Sequence, residues 1–489
     1  MSENTMAGGR STSQKVGLLL GPVLFLVMLL SDKPEALSDR AWMTAALGVL
    51  MAVWWATEAV PIAVTALLPL AVFPMLGIAS IEDTAAPYAN KVIFLFLGGF
   101  IVAFAMQRWN LHRRIALGVL QYTGGNGRAL VGGFMLSSAL ISMWVMNTST
   151  TMLLLPIAIS IITVIHNTVG SLDDKGRNDF QTALLLGVAY GATIGGMATL
   201  VGTVPNALLA AFMLDNYGTA IDFSRWMMVG LPLSALMLPL AWLSLTRWVF
   251  KVDFKTSDEG RATLKNMKAE LGKISPPEIR VAIVFLLMAF FWMFRPLLIN
   301  IPGLSALDDS QIAMAGAVLL FLIPSGDGKD RLLLRWSYAE RLPWSVLILF
   351  GGGLTLAAAV SRTGLAEWLG AYLHALSTLP LLVLIVIVAA LIVFLTELTS
   401  NIGTTATFLP VVGAVALEGG YDPIVLAVPV TLAASCAFML PVATPPNAIV
   451  FGSGMLTVPR MARAGLALNL ISIILVSLIG YKLAPIILN

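Results

Sequence analysis

Two short polar stretches interrupt long apolar runs of this sequence: Met-Asn-Thr-Ser-Thr-Thr at residues 146–151 and Ser-Asn-Ile-Gly-Thr-Thr at residues 400–405. Their first residues are 254 positions apart, and at that offset the Asn and both final Thr residues coincide. The match extends upstream, where the Gly pair at 98–99 falls on the pair at 352–353, and it runs without a gap for about sixty residues. The second half of the chain therefore repeats the first.

A second match lies farther along the chain. Gly-Thr-Val-Pro-Asn at 202–206 pairs with Ala-Thr-Pro-Pro-Asn at 443–447, now at an offset of 241. The smaller offset leaves room for a polar segment at 173–179 in the first half, which we expect to be a longer loop. Proline lacks a backbone donor, so we expect both motifs to break a spanning helix.

The composition assigns the repeated chain to the membrane. Of 489 residues, 58% are hydrophobic, and 29 Lys and Arg with 26 Asp and Glu make about half the charge of an average soluble protein. Twelve of these charges lie between Lys251 and Arg280, which leaves long uncharged runs that only a bilayer solvates. An ordinary cytosolic enzyme is excluded. A net charge of +3 gives no indication of a nucleic-acid partner, and the single cysteine, Cys436, excludes a disulfide framework or a Cys-based zinc site.

The apolar runs predict an all-α polytopic membrane protein with eleven transmembrane helices and two re-entrant hairpins. The spans are expected at 15–31, 41–57, 61–79, 91–107, 182–214, 227–250, 281–301, 310–324, 345–361, 424–456 and 462–487, and the hairpins at 128–165 and 379–416.

Positive charges orient these spans. The first apolar run has no cleavage site after it, so we expect it to be retained, with the N-terminus cytoplasmic. Then 22 of the 29 Lys and Arg, including Arg10 and Lys329, lie on the cytoplasmic side, and the C-terminus is extracytoplasmic. Counting a hairpin as two extra crossings would leave this charge bias unchanged. The prediction of re-entrant hairpins therefore depends on their polar tips and not on the charges. In this topology the two repeats are inverted, which is typical of transporters with a binding site at the membrane midplane.

The polar tips and the broken spans place unpaired backbone groups at membrane depth. Carbonyl, hydroxyl and amide oxygens form a hard, neutral cage that suits Na+, while helix N-termini and amide donors suit carboxylates. No Lys or Arg lies at 142–151 or 396–407, so helix dipoles and co-bound cations must offset the charge of an anion. A single Thr would more simply hold helices together, but the repeated pattern favours a binding site.

The resemblance to a known family is carried by four stretches. They are Met146-Asn147-Thr148, Ser400-Asn401-Ile402, the segment 198–206 and the segment 441–454. They resemble motifs of the divalent-anion/sodium symporter family of di- and tricarboxylate transporters, and the likeness covers the chain after residue 15. Met146 and Ile402 depart from the family pattern, which has Ser and Thr at these positions.

The resemblance implies a set of site residues and an assembly. Substrate would contact Asn147, Thr148, Thr203, Asn401, Thr444 and Pro445. A first Na+ would bind Ser142, the main chain of Met146, Asn147 and Gly202, and a second would bind Thr396, Ser400, Asn401 and Ala443. It also implies a homodimer in which a transport domain slides against a scaffold.

These expectations divide the chain into segments. They are a cytoplasmic tail (1–14), N-terminal spans that are mainly scaffold (15–90), a first repeat core (91–250), a cytoplasmic loop (251–280), scaffold spans with a cytoplasmic loop (281–343) and a second repeat core (344–489).

The function expected from the sequence is Na+-coupled import of a C4-dicarboxylate such as succinate, malate or fumarate, by an elevator-like movement in the bacterial inner membrane. The co-transported ion is Na+, in two or more copies, and no organic cofactor is expected. The alternatives are a Na+-independent dicarboxylate exchanger on the same fold, or a symporter for citrate or sulfate. The sequence contains no HExxH or GxSxG motif, which argues against an intramembrane hydrolase. Duplicated hairpins fit a channel less well than they fit a transporter with alternating access.

Ionisable residues outside these motifs are few. Glu397, beside the second tip, either stabilises the fold by pairing or by capping backbone N–H groups, or it handles cations or protons. His112, His166 and His374 have no metal-ligand spacing and are expected at the surface.

Overall fold

The computed structural model describes residues 11–122, 125–170, 172–256, 258–328, 330–372 and 379–488. Arg10, Lys329 and His374 lie outside the described residues, as does most of the expected N-terminal tail. Within the described part, regular structure is helical apart from two isolated antiparallel bridges. Eight of the described helices are long and apolar enough to cross a membrane. The predicted all-α membrane fold is therefore confirmed.

Among the described residues, the first half contains twelve α-helices and ends in a π-helical turn. They are α1 (Thr12–Leu30), α2 (Asp39–Thr57), α3 (Ile62–Ala66), α4 (Leu68–Met75), α5 (Ile81–Ala85), a 3₁₀ turn (Ala86–Ala89), α6 (Lys91–Arg108), α7 (Leu111–Leu120), α8 (Gly127–Ser142), α9 (Asn147–Thr168), α10 (Asp174–Met197), α11 (Val204–Tyr217), α12 (Phe223–Leu243) and the π turn (Ser244–Trp248).

The second half continues this numbering within the described residues. Its helices are α13 (Asp258–Glu270), α14 (Pro276–Leu298), α15 (Asp309–Leu322), α16 (Trp336–Ala339), α17 (Trp344–Arg362), α18 (Leu365–Tyr372), α19 (Leu381–Leu395), α20 (Asn401–Glu418), α21 (Ile424–Ala434), α22 (Pro445–Phe451), α23 (Val458–Leu478), a second π turn (Ile479–Leu483) and α24 (Ala484–Leu488).

The polar tips and the Pro-Asn motifs interrupt helices where the sequence predicts. Helices α8 and α9 are separated by 143–146, and α19 and α20 by 396–400. The expected spans 182–214 and 424–456 are broken at 198–203 and at 435–444.

The region of the span expected at 61–79 is an apolar helical stretch, Ile62–Met75, made of α3 and α4. The two are separated because Pro69 has no N–H to donate to the Thr65 carbonyl. One local prediction is wrong. The polar segment 173–179 is not a loop: the Asp173 side chain accepts the Gly176 N–H at 2.7 Å and starts α10 there.

Helices also form in segments expected to be loops. Helix α13 lies inside the 251–280 loop, and α7 follows α6 directly. The amphipathic helix α7 buries His112, whose side chain is 7% exposed and whose Nδ1 lies 3.2 Å from the Met106 carbonyl oxygen. The prediction of a surface histidine at this position is therefore wrong. His166 is half-buried.

Helix α10 lies at the centre of the described structure and is almost wholly buried. Small residues let it approach α8 closely: Ser138 donates to the Val188 carbonyl at 2.7 Å, and a Cβ at Gly191 would lie 2.6 Å from the Met135 carbonyl oxygen. Helices α1 and α14, in contrast, expose most of their apolar surface, as lipid-facing helices do.

Candidate functional site

Each of the four breaks is followed by the N-terminus of a helix. Helices α9, α11, α20 and α22 begin directly after the four interruptions. The residues before the first three, Met146, Thr203 and Ser400, provide no side-chain cap, whereas the Thr444 hydroxyl accepts the Asn447 N–H at 3.3 Å. The first-turn N–H groups of α9, α11 and α20 therefore lack a side-chain acceptor at the cap position. Such groups, with the helix dipole behind them, can bind an anion.

The helices after the breaks pack across the two halves of the chain. Helix α22, of the second half, packs on α9 and α10 of the first. Helix α11, of the first half, packs on α20 and α21 of the second. The hairpin of each half is therefore in contact with the broken span of the other.

Three oxygen atoms surround the side-chain amide of Asn147. Ser142 Oγ lies 2.6 Å from this amide. In the amide orientation that satisfies both its atoms, Nδ2 of Asn147 also donates to the carbonyl oxygens of Ala192 at 3.2 Å and Gly202 at 3.3 Å. Neutral oxygens of this kind are the ligands that a hard cation prefers. The structure thus brings together Ser142, Asn147 and Gly202 of the first expected Na+ set, and it adds Ala192.

Met146, the fourth member of that set, has its carbonyl oxygen engaged in α9, where it accepts the Thr150 N–H at 3.0 Å. Its thioether packs with the apolar core. Among the described contacts, no hydrogen bond joins it to the Asn147 cluster.

A matching pair of side chains lies at the second tip. Thr396 Oγ1 is 2.8 Å from Asn401 Oδ1 and also 2.8 Å from the Ala434 carbonyl oxygen. At the offset of 254, this pair falls on Ser142 and Asn147. The Ser400 carbonyl accepts the Thr404 N–H at 2.8 Å, as Met146 does for Thr150.

Ala443 completes the expected second set only in part. It is buried, and its N–H donates to the Leu440 carbonyl at 3.2 Å. No hydrogen bond between Ala443 and Thr396 or Asn401 occurs among the described residues.

Two buried asparagines hold the broken spans, and sequence reasoning gave them no role. Asn206 Nδ2 donates to the Thr199 carbonyl at 2.8 Å and the Met197 carbonyl at 3.3 Å. Asn447 Nδ2 donates in the same way to Leu440 at 3.0 Å and Ala437 at 3.3 Å. The repeated Pro-Asn pair was the signal that could have identified them.

Glu397 caps backbone groups in the second break. This carboxylate is 4% exposed and accepts the N–H groups of Phe438 at 2.7 Å and of Met439 and Leu440 at 2.9 Å. Asn469 Nδ2 donates to it at 2.8 Å. Four donors compensate the buried charge, so of the two roles considered for Glu397 the geometry corresponds to capping.

The other expected substrate residues lie beside the helix starts. Thr148 and Thr203 are half-buried, and their hydroxyls make no hydrogen bond with the described residues, so both are free to donate to a ligand. Thr444 is buried and Pro445 is exposed at the start of α22.

Glu397 lies in one of the four breaks, whereas the ion pairs of the described residues join side chains outside them. Arg460 pairs with Asp179 at 2.5 Å, and Arg114 with Glu278 at 2.7 Å. The described residues contain no group of three or more His, Cys, Asp and Glu that could hold a metal ion. A cavity of about 330 Å³, lined by residues such as Asp215 and Arg362, includes none of the expected site residues. The candidate site is therefore the oxygen-rich region of the breaks, which contains Glu397 but no Lys or Arg.

Comparison with known proteins agrees with this chemistry. The family model described as the sodium:sulfate symporter transmembrane region matches residues 12–488. The chain is 41% identical over 478 residues to the sodium-dependent dicarboxylate transporter SdcS of Staphylococcus saprophyticus, covering 97% of this chain and 92% of that one. It is 40% identical over 482 residues to SdcS of Staphylococcus aureus, with 98% and 93% covered.

The fold is similar to that of a solved transporter structure. The YdaH transporter of Alcanivorax borkumensis superposes with a TM-score of 0.51 over 96% of both chains, at 15% sequence identity. At this identity the likeness concerns architecture alone, and the family rests on the sequence matches. The chain belongs to the sodium:sulfate symporter family, which is a family of membrane transporters.

Proposed function

We propose that this protein is a Na+-coupled symporter that imports a C4-dicarboxylate such as succinate, malate or fumarate across the bacterial plasma membrane. The observation that carries the proposal is the matched pair of oxygen clusters, Ser142 with Asn147 and Thr396 with Asn401, beside uncapped helix N-termini and without Lys or Arg. An anion in such a site needs co-bound cations, which couples the two fluxes. The names of relatives at about 40% identity support the same substrate and ion.

The site assignment is part of the proposal. Two or more Na+ are transported, one at each oxygen cluster. The first cation binds Ser142, Asn147, Gly202 and the Met146 main chain, and the second binds Thr396, Ser400, Asn401 and Ala443. The substrate carboxylates contact Asn147, Thr148, Thr203, Asn401, Thr444 and Pro445.

The movement and assembly are proposed on the same basis. The two halves form inverted repeats, with re-entrant hairpins at 128–165 and 379–416 and a cytoplasmic N-terminus. The segments 91–250 and 344–489 carry the transport machinery, and 15–90 and 281–343 supply most of the scaffold. The transport domain moves as a rigid body through the bilayer of a homodimer.

Uptake of radiolabelled succinate into proteoliposomes tests the coupling. We expect accumulation that needs an inward Na+ gradient and no internal substrate. Uptake that is independent of Na+ but requires internal dicarboxylate would show that the protein is an exchanger. Competition by unlabelled malate and fumarate, and its absence with sulfate and citrate, tests the substrate class.

A further inference from the structure

We propose that Tyr190 is a positioning residue that couples the two cation sites. The proposal rests on the proposed function, because it presupposes Na+ at both clusters. Tyr190 lies on α10 and is fully buried, and its hydroxyl donates to the Phe438 carbonyl in the second break at 2.7 Å. The two rings meet edge to face at a centroid distance of 5.0 Å. A side chain of the first broken span thus holds the backbone of the other one.

Each end of this contact lies next to one cluster. Tyr190 lies two residues before Ala192, and the Ala192 carbonyl faces the Asn147 amide. Phe438 donates its own N–H to Glu397, which directly follows Thr396 of the second cluster. A short path of helix, hydrogen bonds and one peptide bond therefore connects the two sites.

The second break is the element on which the coupling acts. Residues 435–444 are outside helices, so their conformation depends on a few anchors. Glu397 holds the Phe438 N–H and Tyr190 holds the Phe438 carbonyl. A cation that orders α10 around Ala192 also restricts Tyr190, and through it the segment on which the second cation depends. The second cation then has less of the segment 435–444 to order when it binds. Its binding costs less conformational entropy, which gives positive cooperativity.

A comparable tyrosine elsewhere serves as a matched control. Tyr88 also donates its hydroxyl to a backbone carbonyl, that of Ala66, but neither residue lies in a break. Replacing either tyrosine by Phe removes one hydroxyl and keeps the ring. Tyr88 is half-buried and Tyr190 is fully buried, so the control reports the general effect of losing a tyrosine hydroxyl that bonds to a backbone carbonyl.

The test is the Na+ dependence of succinate uptake by purified wild type, Tyr190→Phe and Tyr88→Phe in proteoliposomes. A single hydrogen bond of this type corresponds to about a 2- to 10-fold effect on an equilibrium. We expect Tyr190→Phe to raise the half-saturating Na+ concentration by about that factor and to lower the Hill coefficient for Na+. The KM for succinate at saturating Na+ should stay at the wild-type value, and Tyr88→Phe should match wild type throughout.

The outcomes separate this inference from the proposed function. Wild-type uptake that is independent of Na+ overturns both. Cooperative Na+ dependence in wild type that is unchanged in Tyr190→Phe, or equally shifted in Tyr88→Phe, overturns only the role of Tyr190.

Hydrogen–deuterium exchange tests the same coupling if Tyr190→Phe does not fold. In wild type, Na+ should protect amides of 435–444. In Ser142→Ala, which alters only the first cluster, that protection should need more Na+. Protection at the wild-type Na+ concentration in Ser142→Ala would refute the coupling.

Discussion

Gly196 controls how closely the backbone of α10 approaches the first oxygen cluster, and the substitution Gly196→Ala tests that cluster. A Cβ at this position would lie 2.6 Å from the Asn147 amide and 3.0 Å from the Gly202 carbonyl oxygen. Ordinary contacts of a carbon with an oxygen or nitrogen atom are about 3.3 Å or longer, so one side must move by about 0.7 Å. The side chain of Asn147 moves more easily than the packed backbone of α10.

The displacement removes a ligand without unfolding the helix. Moving the amide stretches its 2.6 Å contact with Ser142 Oγ and disturbs the oxygens that would hold the first cation. Loss of one such contact is worth about 1.4 kcal/mol, which is roughly a tenfold change in an equilibrium constant. Alanine is also the better helix former by up to about 1 kcal/mol, so the thermal stability should change little.

The assay compares Na+ activation of succinate uptake with thermal unfolding in Gly196→Ala and in a control on the same helix. The control is Gly187→Ala, whose Cβ would meet two side chains outside the cluster, Met135 at 3.0 Å and Val131 at 3.3 Å. We expect the half-saturating Na+ concentration to rise about tenfold or more in Gly196→Ala and to stay unchanged in Gly187→Ala. Wild-type Na+ activation in a well-folded Gly196→Ala protein would refute the placement of the first cation.

Four further substitutions give distinct readouts. Asn147→Ala and Asn401→Ala should each abolish uptake while the protein stays folded, and normal transport by either would contradict the site assignment. Glu397→Gln places an NH2 group against the Leu440 N–H, and this unpaired donor should cost about 1–3 kcal/mol and lower the melting temperature; an unchanged melting temperature would argue against capping. Burial lowers the pKa of His112, on α7 outside the spans, from 6.5 to about 4. The unfolded chain therefore binds a proton that the folded protein resists, so on the order of 3 kcal/mol of stability should be lost as the pH falls from 6.5 to 4, and His112→Gln should remove this dependence in pH-resolved thermal unfolding.

The sequence predicted side-chain pairs that local chemistry brings together in the candidate site. Ser142 and Asn147 are five residues apart, as are Thr396 and Asn401, and such short spacings across a helix break bring side chains together without help from the rest of the fold. The breaks themselves follow from polar or proline-containing motifs at membrane depth.

Contacts between distant segments could not be predicted in this way. Glu397 reaches Phe438 over 41 positions, and Tyr190 reaches it over 248. Neither contact leaves a periodic pattern, because both depend on how whole helices pack. Helix α7, in contrast, has an amphipathic pattern that the sequence reading passed over, and for this reason the burial of His112 was missed.

The two breaks differ in length, and two positions account for the difference. At the offset of 254, Glu397 falls on Met143. In the first half the Thr199 hydroxyl donates to the Met143 carbonyl at 2.5 Å and accepts the Gly202 N–H at 3.0 Å, so local bonds close a break limited to 198–203.

In the second half Leu440 stands where Thr199 would fall at the offset of 241, and it has no hydroxyl to close the chain in this way. The Glu397 carboxylate instead accepts hydrogen bonds from successive backbone N–H groups, and the chain is not helical from 435 to 444. Buried N–H groups that converge need acceptors, and the two side-chain oxygens of Glu397 supply them. The matched pairs Ser142 with Asn147 and Thr396 with Asn401 therefore lie beside backbones of different shape, so similar side chains need not give the two clusters equal affinity for a cation.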